Sequence, residues 1–136
     1  MCAICARGGN LIFDSDILIW FFRGNEKAKI IVRKNMPFSI SAVLYMEIIQ
    51  GALNKQELQR MIKFLENSES TIIPLNEAIT YRAMDYVEKY ALSDSLQLAD
   101  ALIAATAVEN GETLCTANWK HYKCIPDLNT DIFTVA

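Results

Sequence analysis

Residues 11–22 constrain the fold more than any other stretch. Leu11, Ile12 and Phe13 form a short apolar run that ends on Asp14-Ser15-Asp16, and a second apolar run, 17–22, follows at once. The first run reads as a buried strand. Asp and Ser are good helix N-caps, so 17–22 reads as a short buried helix ended by Gly24. A strand that delivers an acid into a helix places that acid at the carboxyl edge of a sheet. In open α/β sheets ligands bind along that edge. Asp14 is therefore the first candidate ligand of a metal site.

The remaining chain repeats the alternation. A helix over 26–34 carries Ala28, Ile31 and Val32 on one face and breaks at 35–37. A short strand over 38–41 leads into a helix over 42–53 capped by Ser41. An amphipathic helix spans 55–67, and a strand over 71–74 stops at Pro74. Asn76 caps a helix to about Tyr90 whose buried side is Ile79, Ala83, Val87 and Tyr90, and 92–95 reads as a polar turn. The most regular helix, 97–110, stops at Gly111. A strand over 113–116, a polar turn, about one turn of helix within 119–124 and a last strand over 131–135 complete the series. Strands alternating with helices predict an α/β fold with a mostly parallel sheet and helices on both faces. With 136 residues the chain suffices for one domain with a sizeable core.

Thirteen basic and sixteen acidic residues leave a net charge of −3. That argues against binding nucleic acid through bulk charge. It leaves a nuclease open, because a divalent ion cancels clustered carboxylates. No apolar run reaches the length of a membrane span, and no export signal is evident. Residues 1–10 read as a leader outside the fold, with 11–136 as the single domain. Cys2, Cys5, Cys115 and Cys124 read as the reduced thiols of a cytoplasmic protein. Cys2-x-x-Cys5 has the form of half a zinc site, but the other half is missing: Cys115 and Cys124 are separated by eight residues and the sole histidine is His121.

Two further acids stand where acids are unexpected. Asp100 shares a helical stripe with Ile103, Ala104 and Ala107, and Glu47 follows Val43 and Leu44 by one turn. Burying a lone charge costs several kcal/mol unless something compensates it. Each acid has a purely structural explanation: Asp14 as a cap, Glu47 turned to solvent by a rotated helix, Asp100 favoured by the helix dipole. Together they suggest converging carboxylates of the kind Mg²⁺ or Mn²⁺ takes.

At these residues the chain resembles PIN domains, most closely the ribonuclease toxins of VapC-type toxin–antitoxin pairs. The matching pieces are 12–16, 41–51 with Glu47 and Gly51, 98–105 leading to Asn110-Gly111, and 116–122. The resemblance implies a three-layer α/β/α fold with a central parallel sheet. It implies a metal-dependent endoribonuclease in which Asp14, Glu47 and Asp100 hold one or two Mg²⁺ or Mn²⁺ ions. A metal-activated water would then cut an RNA phosphodiester, leaving a 5′-phosphate and a 3′-hydroxyl. Thr116 and Asn118 match the family's fourth catalytic position. That position is often Asp, and an uncharged Asn118 weakens the case for a second ion. Many relatives have a neutral residue where Asp16 stands, and Asp16 is expected to cap the next helix rather than to join the site. The family also implies a cognate antitoxin that sends a basic side chain into the acidic site, and a homodimer. Phosphate contacts would come from among Arg23, Arg82, Lys120, His121 and Lys123, with His121 as such a group rather than a general base.

Two alternatives belong to other classes. Asp14-Ser15-Asp16 also has the D-x-D form of haloacid-dehalogenase-like phosphatases, but Leu18 stands where Thr or Val is wanted and the later Asp-Asp pair is missing. A PIN-like module that binds RNA or protein without cutting is the other.

Overall fold

The computed structural model describes residues 11–134; the expected leader and the Cys2-x-x-Cys5 pair lie outside them. Five strands form the sheet: β1 (Leu11–Phe13), β2 (Ser39–Ser41), β3 (Thr71–Ile73), β4 (Thr113–Thr116) and β5 (Thr130–Ile132). Their order is β3-β2-β1-β4-β5, and every pairing is parallel. Burial follows that order: β1 is wholly buried, whereas β3 and β5, at the two edges, are largely open. A continuous apolar run such as Leu11-Ile12-Phe13 suits only a central strand covered on both faces.

Among the described residues seven helices flank the sheet in an α/β/α arrangement: α1 (Ser15–Phe22), α2 (Glu26–Lys34), α3 (Ala42–Gln50), α4 (Lys55–Asn67), α5 (Glu77–Asp94), α6 (Leu98–Glu109) and α7 (Trp119–Tyr122). Side-chain oxygens start five of them, with Asp14 at α1 accepting from the Ser15 amide. Asn25, Ser41, Asn54 and Asn76 accept from the amides of Ala28, Leu44, Glu57 and Ile79 at 2.8–3.0 Å. Each such cap contributes about 1 kcal/mol. At the end of α6, Gly111 turns to φ +63°, and the amides of Gly111 and Glu112 close onto the carbonyls of Val108 and Ala107. This is the Schellman closure that favours glycine at that position.

Several boundaries differ from expectation for identifiable reasons. α3 stops at Gln50, three residues before Leu53, because Gly51 takes the C-cap. α5 continues to Asp94, through the segment expected as a polar turn, and ends where Ser95 adopts the left-handed conformation at φ 58°. The apolar run in α1 is not buried all round, since Ile19 and Trp20 face solvent while Ile17 and Leu18 enter the core. The last strand covers 130–132 rather than 131–135. Arg82 ion-pairs with both Glu109 and Asp127, and Tyr86 donates to Asp127 at 3.1 Å. This network ties α5 to the end of α6 and to the loop after α7, so Arg82 is committed to structure rather than to phosphate.

Candidate active site

The chain runs outward from β1 to β2 and β3, then returns to the other side of β1 for β4 and β5. The reversal falls between β1 and β4, and a crevice at such a switch point is where open α/β sheets bind ligands. Phe13 pairs with Cys115, so the next residues, Asp14 and Thr116, stand side by side at the carboxyl ends of those strands.

Asp14 is 4% exposed. Its Oδ1 accepts from the Ser15 amide at 2.8 Å, which makes Asp14 the cap of α1, and its Oδ2 accepts the Thr116 hydroxyl at 2.8 Å. Thr116 Oγ1 in turn accepts from the Asn118 amide at 2.9 Å. Burial pushes the Asp14 carboxyl above its ordinary range, the Thr116 hydroxyl pulls it down, and the charge of Asp100 raises it further. The threonine thus fixes the carboxylate through its hydroxyl. Asn118 takes part through its backbone, and its side chain makes no cap bond to α7.

Asp100 lies in the first turn of α6 and is half-buried. Tyr122, 1% exposed, donates its phenol to Asp100 Oδ1 at 3.3 Å and also works to lower the neighbouring Asp14 carboxyl. His121 Nδ1 lies 3.5 Å from Asp100 Oδ2. Glu47 was expected on the buried stripe of its helix; it is instead exposed at the rim of the site. Even there its carboxyl is shifted upward, first by partial desolvation and then by the charges of Asp14 and Asp100. The three acids therefore sense one another across the switch point.

Asp16 does not cap α1, because Asp14 already occupies that position. Its Oδ2 instead accepts from the Ala117 amide at 3.0 Å and holds the loop that leaves β4. Its Oδ1 is buried with no hydrogen-bond partner. Burial, followed by the charge of Asp14, pushes the Asp16 carboxyl up to about 7. The tie between Asp16 and Ala117 joins residues 101 positions apart, and nothing local in the sequence announces it. Tyr122 also escaped the sequence reading. The one signal for it is that a buried phenol, unlike a phenyl ring, needs a polar partner.

In donor chemistry the set fits a hard divalent cation, which takes carboxylate oxygens. In charge it also fits: the charge of Asp100 raises the Asp14 carboxyl, and the charges of Asp14 and Asp100 raise that of Glu47. It is not a closed cage, since among the described residues no group of three or more His, Cys, Asp or Glu is gathered tightly enough to hold a metal.

Fold and site together define a parallel α/β protein with an acidic site at its switch point. The chain belongs to the PIN-domain family, whose model matches residues 11–124. It is 31% identical to ribonuclease VapC1 of Rickettsia felis over 133 residues, covering 93% of this chain and 96% of that protein. Among solved structures it is similar to a toxin–antitoxin complex from Klebsiella pneumoniae, with a TM-score of 0.75, 31% identity, and coverage of 93% of this chain and 98% of that one. It also shares the fold of VapBC2 from Rickettsia felis bound to a promoter DNA fragment, with a TM-score of 0.77, 20% identity, and coverage of 91% and 98%. Family membership displaces the phosphatase alternative.

Proposed function

We infer that this chain is the toxin of a VapC-type toxin–antitoxin pair, an endoribonuclease that depends on Mg²⁺ or Mn²⁺. The observation that carries the reading is the buried Asp14 carboxylate at the switch point, fixed by Thr116 and within electrostatic reach of Asp100 and Glu47. Similarity to ribonuclease VapC1 over nearly the whole of both chains supports the same reading.

Asp14, Glu47 and Asp100 are the residues that would hold the ion. A divalent ion there supplies Lewis-acid activation of water and offsets the charge that develops on the phosphodiester. The chain's own contribution is positioning. Thr116 and the Ser15 amide fix Asp14, and the phenol of Tyr122 orients Asp100, as outer partners commonly do for metal ligands. Lys120 and His121, in α7, are the basic side chains proposed to steady a phosphate, and His121 lies beside Asp100. The products are a 5′-phosphate and a 3′-hydroxyl. Its partners in this reading are a cognate antitoxin that covers the acidic site and a second copy in a homodimer. No helix among the described residues is long and apolar enough to cross a membrane, and the proposed place of action is the cytoplasm.

The test is cleavage of a structured RNA panel with Mn²⁺, repeated with Asp100→Asn and with EDTA. Asp100→Asn is expected to lower the rate by about 100-fold or more, the scale of losing several kcal/mol of transition-state stabilisation, and EDTA to abolish it. Cleavage that survives both controls overturns the metal-site reading. Tight RNA binding without cutting under any condition favours the non-catalytic module.

A further inference from the structure

Beside the acidic site lies a cavity of about 420 Å³ lined by Ala117, Asn118, Trp119, Lys120, His121 and Ile132. That volume is within the roughly 300–1,000 Å³ of small-molecule clefts. Its composition is unlike the core: an indole ring 42% exposed, an isoleucine 56% exposed, an amide and two basic side chains. Large apolar groups left open to water in a concave place invite a ligand with a flat apolar face. The surrounding donors invite one with polar edges and an attached anion.

The pocket is also joined to the acids. His121, in its wall, places Nδ1 3.5 Å from Asp100 Oδ2. Asn118 and Ala117 in the same wall are held by Thr116 and Asp16 through their backbone amides. Lys123 Nζ stands 5.8 Å from the centre of the Trp119 ring, a cation positioned against the indole. Few ligands present a planar apolar face, polar edges and an adjacent negative charge together. An unpaired nucleotide does, and splayed-out bases stacked on aromatic rings are how proteins commonly read single-stranded RNA.

We propose that the Trp119 pocket is a nucleobase-binding subsite that seats one unpaired base of the RNA next to the scissile phosphate. The inference rests on the ribonuclease reading and sharpens it, because it makes single-strandedness beside the cut a requirement. Trp119 supplies the stacking surface, Asn118 and His121 face the edges of the base, and Lys120 and Lys123 meet the adjoining phosphate. Stacking carries little sequence information, since every base has a π-face. The pocket therefore selects for an exposed base rather than for a particular one.

The experiment measures binding of a labelled single-stranded oligoribonucleotide by fluorescence anisotropy, in a Glu47→Gln background that keeps the probe intact. The same sequence annealed to its complement serves as the second probe. Trp119→Ala is expected to weaken single-strand binding roughly 5- to 150-fold, the range for losing one base–aromatic stack. Trp119→Phe is expected to recover most of that loss, and binding of the duplex to change little. Lys120→Ala is expected to lower the salt dependence by about one phosphate contact, whereas Trp119→Ala leaves that dependence unchanged. Equal single-strand affinity of Trp119→Ala and its parent overturns the subsite. Equal RNA affinity coupled with lost binding of a purified antitoxin reassigns the pocket to a protein contact and also overturns it. If the unsubstituted protein neither binds nor cuts RNA, the ribonuclease reading falls and the subsite with it. If it cuts RNA while Trp119→Ala cuts and binds equally well, only the subsite falls.

Discussion

Asp14 and Asp16 flank a single serine, yet the fold gives them different work. Asp14 turns both oxygens to donors, the Ser15 amide and the Thr116 hydroxyl. Asp16 spends one oxygen on the Ala117 amide and leaves the other buried without a partner. Its carboxyl is pushed up to about 7, against an ordinary value of 3.8. A carboxyl with a raised folded-state value binds its proton more tightly when folded. It therefore subtracts stability as pH rises through the interval between the unfolded and folded values, here from about pH 4 to about pH 7. Asp14 and Glu47 are shifted in the same direction and add to the trend. Thermal unfolding of metal-free protein is therefore expected to show this contribution falling between pH 4 and 7. Asp16→Asn keeps an acceptor for Ala117 but removes the charge. It should flatten that slope and raise the melting temperature at pH 8. An unchanged slope in Asp16→Asn would show that the Asp16 carboxyl is not strained by its burial.

At the scale of elements, the α5–α6 pair is closed by Arg82, which reaches Glu109 and Asp127 together. The arginine side chain is 35% exposed, so solvent screens the pairs and their worth is modest. Arg82→Ala is expected to lower stability by about 1 kcal/mol or less in urea unfolding and to leave the rate of RNA cleavage unchanged. A large loss of RNA affinity at full stability would return Arg82 to the phosphate contacts. The helices and strands themselves were largely legible in the residues. Ser41 and Asn76 announce helix starts, and Leu11-Ile12-Phe13 announces a buried strand, because caps and apolar runs act locally. The end of α5 was not legible. Leu92 is fully exposed in its last turn, and no residue of that turn continues the buried stripe of Ile79, Ala83 and Tyr86. The side of α3 that Glu47 takes was equally hidden, since Val43 and Leu44 one turn back do not say which of them enters the core. Leu44 does, Val43 only in part, and Glu47 is carried to the rim.

Across the whole molecule, the order β3-β2-β1-β4-β5 decides which residues meet. It sets the ends of β1 and β4 side by side and brings α6 and α7 over them. Asp14, Asp100, Thr116 and Tyr122 thereby converge from four elements spread over more than a hundred positions. The carboxylates could be suspected from sequence because a charge on an apolar stripe is anomalous wherever the chain runs. Of their hydrogen-bond partners, Thr116 was reached only through the family resemblance and Tyr122 not at all, because neither stands out by spacing or pattern until the sheet is assembled. The result is an excess of negative charge at the switch point that a divalent cation would relieve. The most direct measurement of that claim is calorimetric titration of Mn²⁺ into the unsubstituted protein and into Asp14→Asn, at pH 8. The account predicts that the unsubstituted protein binds Mn²⁺ and that Asp14→Asn binds it at least about tenfold more weakly, a difference of about 1.4 kcal/mol or more. Equal Mn²⁺ affinity of the two proteins, or no binding by either, would contradict it.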